Sequence, residues 1–396
     1  MKKTGFVVAS VMATLLAGTA LADTAVKLGV LNDRSGVYAD LSGEGSVVAA
    51  QMAVEDFDAA AHGITVEIVS ADHQNKPDVA SNITRQWLDQ DGVTAILDVP
   101  TSSAALAVNE LVREANAVMI NSGAGSTDLT GKSCSPHTIH WTYDTWALGN
   151  GTGKAMVADG GDTWFFITAD YAFGHSLESD TAALVEEAGG TVLGSVRHPF
   201  PGGDFSSYLL QAQASGAKVI GLANAGGDTI NTIKAAKEFG IDKTMKVAPL
   251  LVFYSDIHSL GLKNTAGMQF VTSWYWDMDD ASRKFADAYM KKTNRRPTEI
   301  QAADYSATMN YLKAVQAAGT VDADKVMETW RGMKMDDFFA KGYLRADGSY
   351  IHDMYLVQVK EPKESKGTWD YYKIVKKLPG EEVFTTKAET KCALWK

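Results

Sequence analysis

A chain of 396 residues exceeds one ordinary domain, so two domains with sizeable cores are expected. Its 37 basic and 48 acidic residues leave a formal charge of −11 at pH 7, which argues against nucleic acid and anionic membrane as main partners. The sign of a small ligand is left open by that total, because a cleft has its own local field.

At the N-terminus, Lys2 and Lys3 precede an apolar run from Gly5 to about Ala17, and Ala20-Leu21-Ala22 supplies small residues at the positions that determine cleavage. The run is shorter than the roughly 20 apolar residues of a membrane anchor. Residues 1–22 therefore read as a signal peptide cut before Asp23, which exports the chain to an oxidising compartment. The mature chain keeps 35 basic against 48 acidic residues, a formal −13. Two cysteines, Cys134 and Cys392, enter that oxidising compartment, where an isolated even pair is expected as a disulfide. Sequence alone does not show that the two approach each other.

Short β-rich runs then alternate with helix-length segments. Strands are expected at 26–31, 64–70, 94–99, 118–121, 163–168, 191–196, 218–223, 246–251 and 268–272. Helices are expected at 47–60, 77–90, 103–114, 173–188, 206–214 and 229–239. That rhythm marks parallel sheets covered by helices on both faces. It pauses once, across 133–150, and restarts at 162, which implies two similar lobes. Three further helices follow around 281–293, 299–318 and 323–331, and the chain closes with alternating strands at 354–360 and 371–377 suited to an edge or hairpin. A chain that returns near its end crosses between lobes more than once, which makes a hinge.

Several strand ends carry ligand-binding chemistry. "NDRSGVYADLSGEG" (32–45) loosely imitates a dinucleotide fingerprint, but about ten residues separate Leu31 from Gly43, too many for a pyrophosphate to sit on the helix start. Ser42 or Ser46 can cap the following helix, while Ser35, Gly36 and Tyr38 can line a cleft. "DVPTSSAAL" (98–106) puts Thr101, Ser102 and Ser103 at a helix start, where hydroxyls and free N–H groups can cradle a carboxylate. Such serines taken alone are N-caps more often than ligands. "NSGAGSTDLTG" (121–131), with Ser122, Gly123 and Ala124, ends the next strand, and ligands in open α/β sheets bind outside such strand ends. The second half offers Tyr171 and Phe173 in "ADYAFGHSL", Asn224 and Asp228 in "LANAGGDT", and Phe253 with Tyr254 after Leu251. Trp141, Tyr143, Trp274, Tyr275 and Trp276 flank the inferred crossings, and aromatics there with hydroxyls opposite suit a carboxylate on an apolar or aromatic body.

Catalysis finds little support. "SGAGS" has the wrong order for a nucleophile elbow. His137 and His140 lack the spaced partners of a zinc set. His175 beside Ser176 has no evident third member. No enzyme activity, cofactor or metal is expected.

Taken in order, "GVLNDRSGVYADLSGEG", "PTSSAA", "INSGAGSTDLTG", "ADYAFGHS" and "VIGLANAGGDTINTIKAAKEFGI" resemble the periplasmic solute-binding proteins of ABC importers, of the branched-chain amino acid type. The resemblance spans the mature chain. It implies two Rossmann-like lobes joined by three crossover segments, the type I architecture, with ligand trapped by hinge closure and delivered to a membrane permease. The lobes are expected at 23–143 plus 276–351 and at 144–275 plus 352–396, in a monomer.

By position, Ser102 matches the family serine that holds the ligand carboxylate, and 122–126 the loop that adds donors. Phe173 falls where amino-acid binders place a tyrosine. Gly125 stands where a hydroxyl is expected, Leu250–Phe253 where an acidic partner for an ammonium group is expected, and "NAGG" where tyrosines are expected. A buried ammonium without a partner costs several kcal/mol, so these departures disfavour free α-amino acids. Asp228 could substitute if it reaches the cleft. The family also includes binders of benzoate and phenylpropanoid derivatives, so a non-amino carboxylate with an aromatic body is favoured. Branched-chain amino acids come second, then amides and short fatty acids. A sensor subunit signalling to a membrane receptor is the rival of another class.

Overall fold

The computed structural model describes residues 24–395, so the expected signal peptide lies outside the described residues. The first half builds β1 (Thr24–Asn32), α1 (Gly43–Phe57), β2 (Ile64–Asp72), α2 (Pro77–Asp89), β3 (Ala95–Asp98), α3 (Ser102–Glu114), β4 (Val118–Asn121) and β5 (Thr138–His140). The five strands form a parallel sheet in the order β2-β1-β3-β4-β5. In β3 and β4 every residue is buried, as a parallel sheet covered on both faces requires.

The chain then crosses to a second unit: α4 (Thr145–Ala158), β6 (Thr163–Ala169), α5 (Ala172–Glu187), β7 (Thr191–His198), α6 (Ser206–Ala214), β8 (Val219–Ala223), α7 (Gly227–Glu238) and β9 (Lys246–Pro249). Its parallel sheet runs β7-β6-β8-β9. Two short helices, α8 (Tyr254–Leu260) and α9 (Leu262–Thr265), lead into β10 (Gln269–Thr272).

After a second crossing, α10 (Asp280–Thr293), α11 (Glu299–Ala318) and α12 (Ala323–Gly332) return to the first unit. Asp279 caps α10 by accepting the Ser282 amide, Thr298 and Gln301 form a reciprocal capping box on α11, and Gly319 ends α11 in the left-handed region. The side chains of α1 and of α10–α12 share one core with the inner face of the first sheet, while α2 and α3 cover its other face. A small antiparallel sheet follows, of β11 (Met335–Asp336), β12 (Lys341–Leu344) and β13 (Tyr350–His352). A third crossing leads to β14 (Met354–Val359) and β15 (Tyr372–Leu378), then α13 (Gly380–Val383). The two late strands pair antiparallel, as expected, with β14 lying between β10 and β15.

The crossings are stapled to one another. His352 Nε2 lies 2.7 Å from the Thr142 carbonyl, joining the first to the third. At the second, the buried Glu299 carboxylate accepts the Ser273 amide at 2.6 Å and the Ser273 hydroxyl.

Cys134 and Cys392 form a disulfide across a separation of 258 residues, with a Cα–Cα distance of 5.6 Å. Placing all of 352–396 in the second lobe needs a correction at its end. Arg345 of the first unit donates to the Thr385 carbonyl at 2.7 Å and lies 3.9 Å over the Trp395 ring, so the last residues pack back on the first unit.

Candidate functional site

Strand ends of both sheets converge on one closed cleft. On the first unit, the loop between β1 and α1 is organised by Asp33, whose carboxylate accepts the Gly36 amide at 2.8 Å, the Tyr38 amide at 2.9 Å and Asn75 Nδ2 at 2.6 Å. Carboxylates folding back on amides two to five residues ahead make tight turns, and this one aims Tyr38 inward. Ser35 instead donates to Asp72 at 2.7 Å, at an exposed position. Ser42 makes no cap on α1; its hydroxyl donates to Asp98.

The chain leaves β3 through two non-glycine residues in the left-handed region, Asp98 at φ 82° and Val99 at φ 53°. For a β-branched residue that is a genuine outlier, and such strain collects at functional sites. It delivers Pro100 and the start of α3. Thr101 turns away to donate to Asn75 and makes no side-chain cap, so the first amides of α3 are not capped by it. Ser102 is fully buried and its hydroxyl accepts the Ser126 amide at 3.2 Å; Ser103, next to it, is half-buried.

The third loop is clamped by Asn121, which donates to the Ala124 carbonyl at 2.7 Å and accepts the Ala124 amide at 3.0 Å. The Ser122 side chain points under the loop to Asp304 of α11. The Gly123 carbonyl accepts the Tyr143 hydroxyl at 3.0 Å.

The second unit supplies the opposing wall. The hydroxyls of Tyr171 and Tyr38 hydrogen-bond across the cleft, and Tyr171 stacks on Phe200 at 4.1 Å. The Gly227 amide donates to the Val37 carbonyl at 3.1 Å, a second bridge between units. Phe173 approaches Gly125 so closely that a Cβ there would fall 2.9 Å from the ring. The missing hydroxyl at 125 is thus matched by an aromatic ring in the space above it. Phe253 lies 6.3 Å from Tyr143, centroid to centroid, and its amide donates to Asp256 at 2.9 Å.

Asn224 is used internally: its carbonyl accepts the Thr229 hydroxyl at 2.7 Å and its amide group lies 3.2 Å from His198 Nε2. Asp228 is buried and accepts the Gly202 amide at 3.0 Å; its Oδ2 accepts no hydrogen bond and has the His198 ring nitrogen Nδ1 3.9 Å away. Burial pushes its carboxyl up to about 7, against the lowering by the Gly202 amide. Burial, together with the neighbouring phenol and the Asp228 charge, also raises Tyr38, so that phenol stays protonated at neutral pH.

Ten residues wall the closed pocket: five aromatics (Tyr38, Tyr143, Tyr171, Phe173, Phe253) and Leu41, Pro100, Gly123, Ala225 and Leu251. None is charged. The cavity they enclose is about 10 Å³, room for about one water. A larger ligand enters only if the walls move apart. Leu41, Pro100, Tyr143, Ala225 and Leu251 were not among the site residues read from sequence. Tyr143 carried a signal as an aromatic at a crossing, and Ala225 and Leu251 fell in segments read as departures from the family pattern.

His137 pairs with Asp324 at 2.8 Å and His175 with Asp170 at 2.7 Å, and among the described residues no three potential ligands gather into a metal site.

Two parallel-sheet units, three crossings and a closed cleft at the strand ends define a two-lobed clam-shell that holds a solute. The chain matches the periplasmic binding protein family model over residues 25–368, and it belongs to that family. It is 56% identical to a periplasmic binding protein from Burkholderia mallei, with a TM-score of 0.93 over 95% of this chain and 100% of the other. It is 42% identical to a branched chain amino acid ABC transporter periplasmic ligand-binding protein from Burkholderia xenovorans LB400, with a TM-score of 0.83 over 94% of this chain and 100% of that one. A curated relative, the Leu/Ile/Val-binding protein homolog 6 of Brucella melitensis, is 25% identical over 81% of this chain and 83% of its own length.

Proposed function

We propose that this chain is the periplasmic solute-binding component of an ABC importer, and that it captures a small carboxylate with an aromatic body and presents it to a membrane permease. The carrying observation is the composition of the pocket wall: five aromatic rings and no charged side chain. An α-amino group enclosed there would lose its hydration without gaining a counter-ion, whereas an aromatic body would gain stacking and edge contacts.

In this reading the carboxylate docks on the first lobe, at Ser102, Ser103 and the free amides that open α3, with the 122–124 loop beside them. The helix N-terminus offers donors and a favourable dipole for that charge. The second lobe then closes Tyr171, Phe173 and Phe253 over the body. Closure is driven only by contacts made in the closed state. The lobes we assign are 23–143 plus 276–351 and 144–275 plus 352–384, with the disulfide-tied tail returning to the first. Export through residues 1–22 and action as a monomer belong to the same proposal.

A second reading, a branched-chain amino acid as ligand, is favoured by one observation: Asp228 Oδ2 accepts no hydrogen bond, and the Asp228 charge acts on Tyr38 of the pocket wall. It also agrees with what the Burkholderia xenovorans protein is called.

A thermal-shift panel on ligand-stripped residues 23–396 separates them, using benzoates, aliphatic carboxylates, leucine, valine and amides. Ligand at 100 times its Kd adds about 2.7 kcal/mol, a shift of roughly 2 °C or more for a chain this long. Shifts confined to benzoate-like acids are expected; a shift with leucine or valine alone overturns the aromatic reading.

A further inference from the structure

Beneath the first lobe's three cleft loops lie two carboxyl groups, Asp98 at the end of β3 and Asp304 on α11, both fully buried. Asp98 Oδ2 accepts from Asn32 Nδ2 at 3.0 Å and from the Ser42 hydroxyl, and Asp304 Oδ1 accepts from the Ser122 hydroxyl. The other oxygen of each, Asp98 Oδ1 and Asp304 Oδ2, has no donor. A Cβ on Gly123 would stand 2.8 Å from Asp98 Oδ1, and the neighbouring Ser122 donates to Asp304, so one loop brings the two groups into a small polar chamber; the buried Ser46 hydroxyl, itself without a hydrogen bond, acts on both. Among the described residues no lysine, arginine or histidine pairs with either. The titratable neighbours are phenols: Tyr143, from the first crossing, faces the Asp98 charge, and Tyr289, from α10, faces that of Asp304.

Two carboxylates buried together without a cation cannot both be ionised cheaply, and two acceptor oxygens left without donors are what one shared proton would satisfy. We propose that Asp98 and Asp304 hold a single proton between them and act as a positioning pair that fastens the three cleft loops of the first lobe to helix α11. The fastening reaches residues 33–42 through Ser42, residues 98–102 through Asp98 itself, and residues 121–126 through Ser122. Only the description of these loops as ligand-facing rests on the function proposed above; the shared proton does not.

Burial agrees with this: it raises Asp98 to about 6 and raises Asp304 well above the carboxylate range, with the Asp98 charge adding to the latter. An acid whose folded pKa is raised gives stability that is complete below its unfolded value of about 4 and is lost as pH rises through the folded value. The pair therefore stabilises the folded chain at pH 5 more than at pH 8.

Asp304→Asn keeps an acceptor for Ser122 and adds a fixed N–H donor in place of the shared proton. Unfolding of the ligand-free mature protein, followed from pH 5 to pH 8, reads the difference. The wild type is expected to lose one proton's worth more stability than the variant, about a tenfold change in folding constant per pH unit while the shared proton is bound. The variant is expected to match or exceed the wild type at pH 8. Asp304→Ala, which leaves the Ser122 hydroxyl without its acceptor and Asp98 without the partner that shares its proton, is expected to be weaker at every pH. Equal pH slopes for wild type and Asp304→Asn overturn the proposal. If Asp304→Asn does not fold, Asp98→Asn and the carboxyl ¹³C titration of the wild type decide: an aspartate still protonated at pH 7 is required. Benzoate affinity, measured at pH 6 and pH 8, then tests the loops: a fall with pH in the wild type but not in Asp304→Asn is expected. Failure of benzoate to bind at either pH counts against the proposed ligand and leaves the unfolding result to stand by itself.

Discussion

The hydroxyl of Tyr38 and the hydroxyl of Tyr171, 133 residues apart in the chain, hydrogen-bond to each other across the cleft. Each comes from a different lobe, so the bond exists only when the lobes are together. Both phenols are raised by burial and stay neutral across the physiological range. Replacing either by phenylalanine leaves the other hydroxyl buried and unpaired, which costs about 1–3 kcal/mol. Tyr171→Phe is expected to shift the balance toward the open form by roughly 5- to 150-fold, read as a larger radius of gyration in solution scattering and a faster ligand off-rate.

Gly125 faces the ring of Phe173, and a Cβ there would stand 2.9 Å from it. Gly125→Ala is expected to weaken ligand binding about tenfold or more by overpacking the closed state, with overpacking worth about 1–3 kcal/mol. Adding Phe173→Leu to that variant should recover part of the loss. Titration of the single and double variants checks the coupling.

In the proposed function Ser102 holds the ligand carboxylate; its hydroxyl already accepts the Ser126 amide. A hydrogen bond to a charged group is worth about 1.5–3 kcal/mol, so Ser102→Ala should cost at least tenfold in affinity. Unchanged affinity in a folded Ser102→Ala protein would place the carboxylate elsewhere. The melting temperature of the same variant separates loss of the Ser126 bond from loss of the ligand bond.

The fold was legible in the alternation of strand and helix because buried parallel strands are largely apolar and helix-length segments separate them; side-chain caps gave no help, since α1, α2, α3, α5, α6 and α7 have none. Helix α4 was not. Its sequence, "TWALGNGTGKAMVA", holds three glycines, which disfavour a helix interior; a Cβ on Gly151 would collide with Val271 of β10, so the glycine serves close packing. The pocket wall was legible where it uses aromatics at strand ends, whereas Thr101, Ser102, Ser103 and Ser122, read there for their hydroxyls, are not among the residues that wall it. Leu41 and Pro100 were not legible, since an apolar wall residue has the same chemistry as a core residue; Ala225 and Leu251 were reached only as departures from the family pattern. Ser42 and Ser122 look like caps or ligands in sequence, yet both turn inward to buried carboxyls that only the fold brings together.

Burial raises Asp144, Asp256 and Glu299 to about 7, and lowers His73 and His140 to about 4. The acids contribute stability that is lost as pH rises from their unfolded values through about 7; the histidines contribute stability that is lost as pH falls from about 6.5 toward 4. Above pH 6.5 only the acids act, so the melting temperature should fall between pH 6.5 and 8. Asp256→Asn, which still accepts the Phe253 amide, should make that fall shallower.

The Cys134–Cys392 bridge closes a loop of more than half the chain. Replacing both cysteines by serine is expected to cost roughly 2–4 kcal/mol, seen as a lower unfolding midpoint in denaturant and as fraying of residues beyond Phe384 in hydrogen exchange.

The most direct measurement is calorimetric titration of the ligand-stripped mature protein with benzoate and, separately, with L-leucine. Saturable one-site binding of benzoate with a negative heat-capacity change, and no heat from leucine, is the result expected of an uncharged aromatic pocket closing on a carboxylate. Binding of leucine, abolished by Asp228→Asn, with no binding of benzoate would contradict it and make Asp228 the partner of an ammonium group.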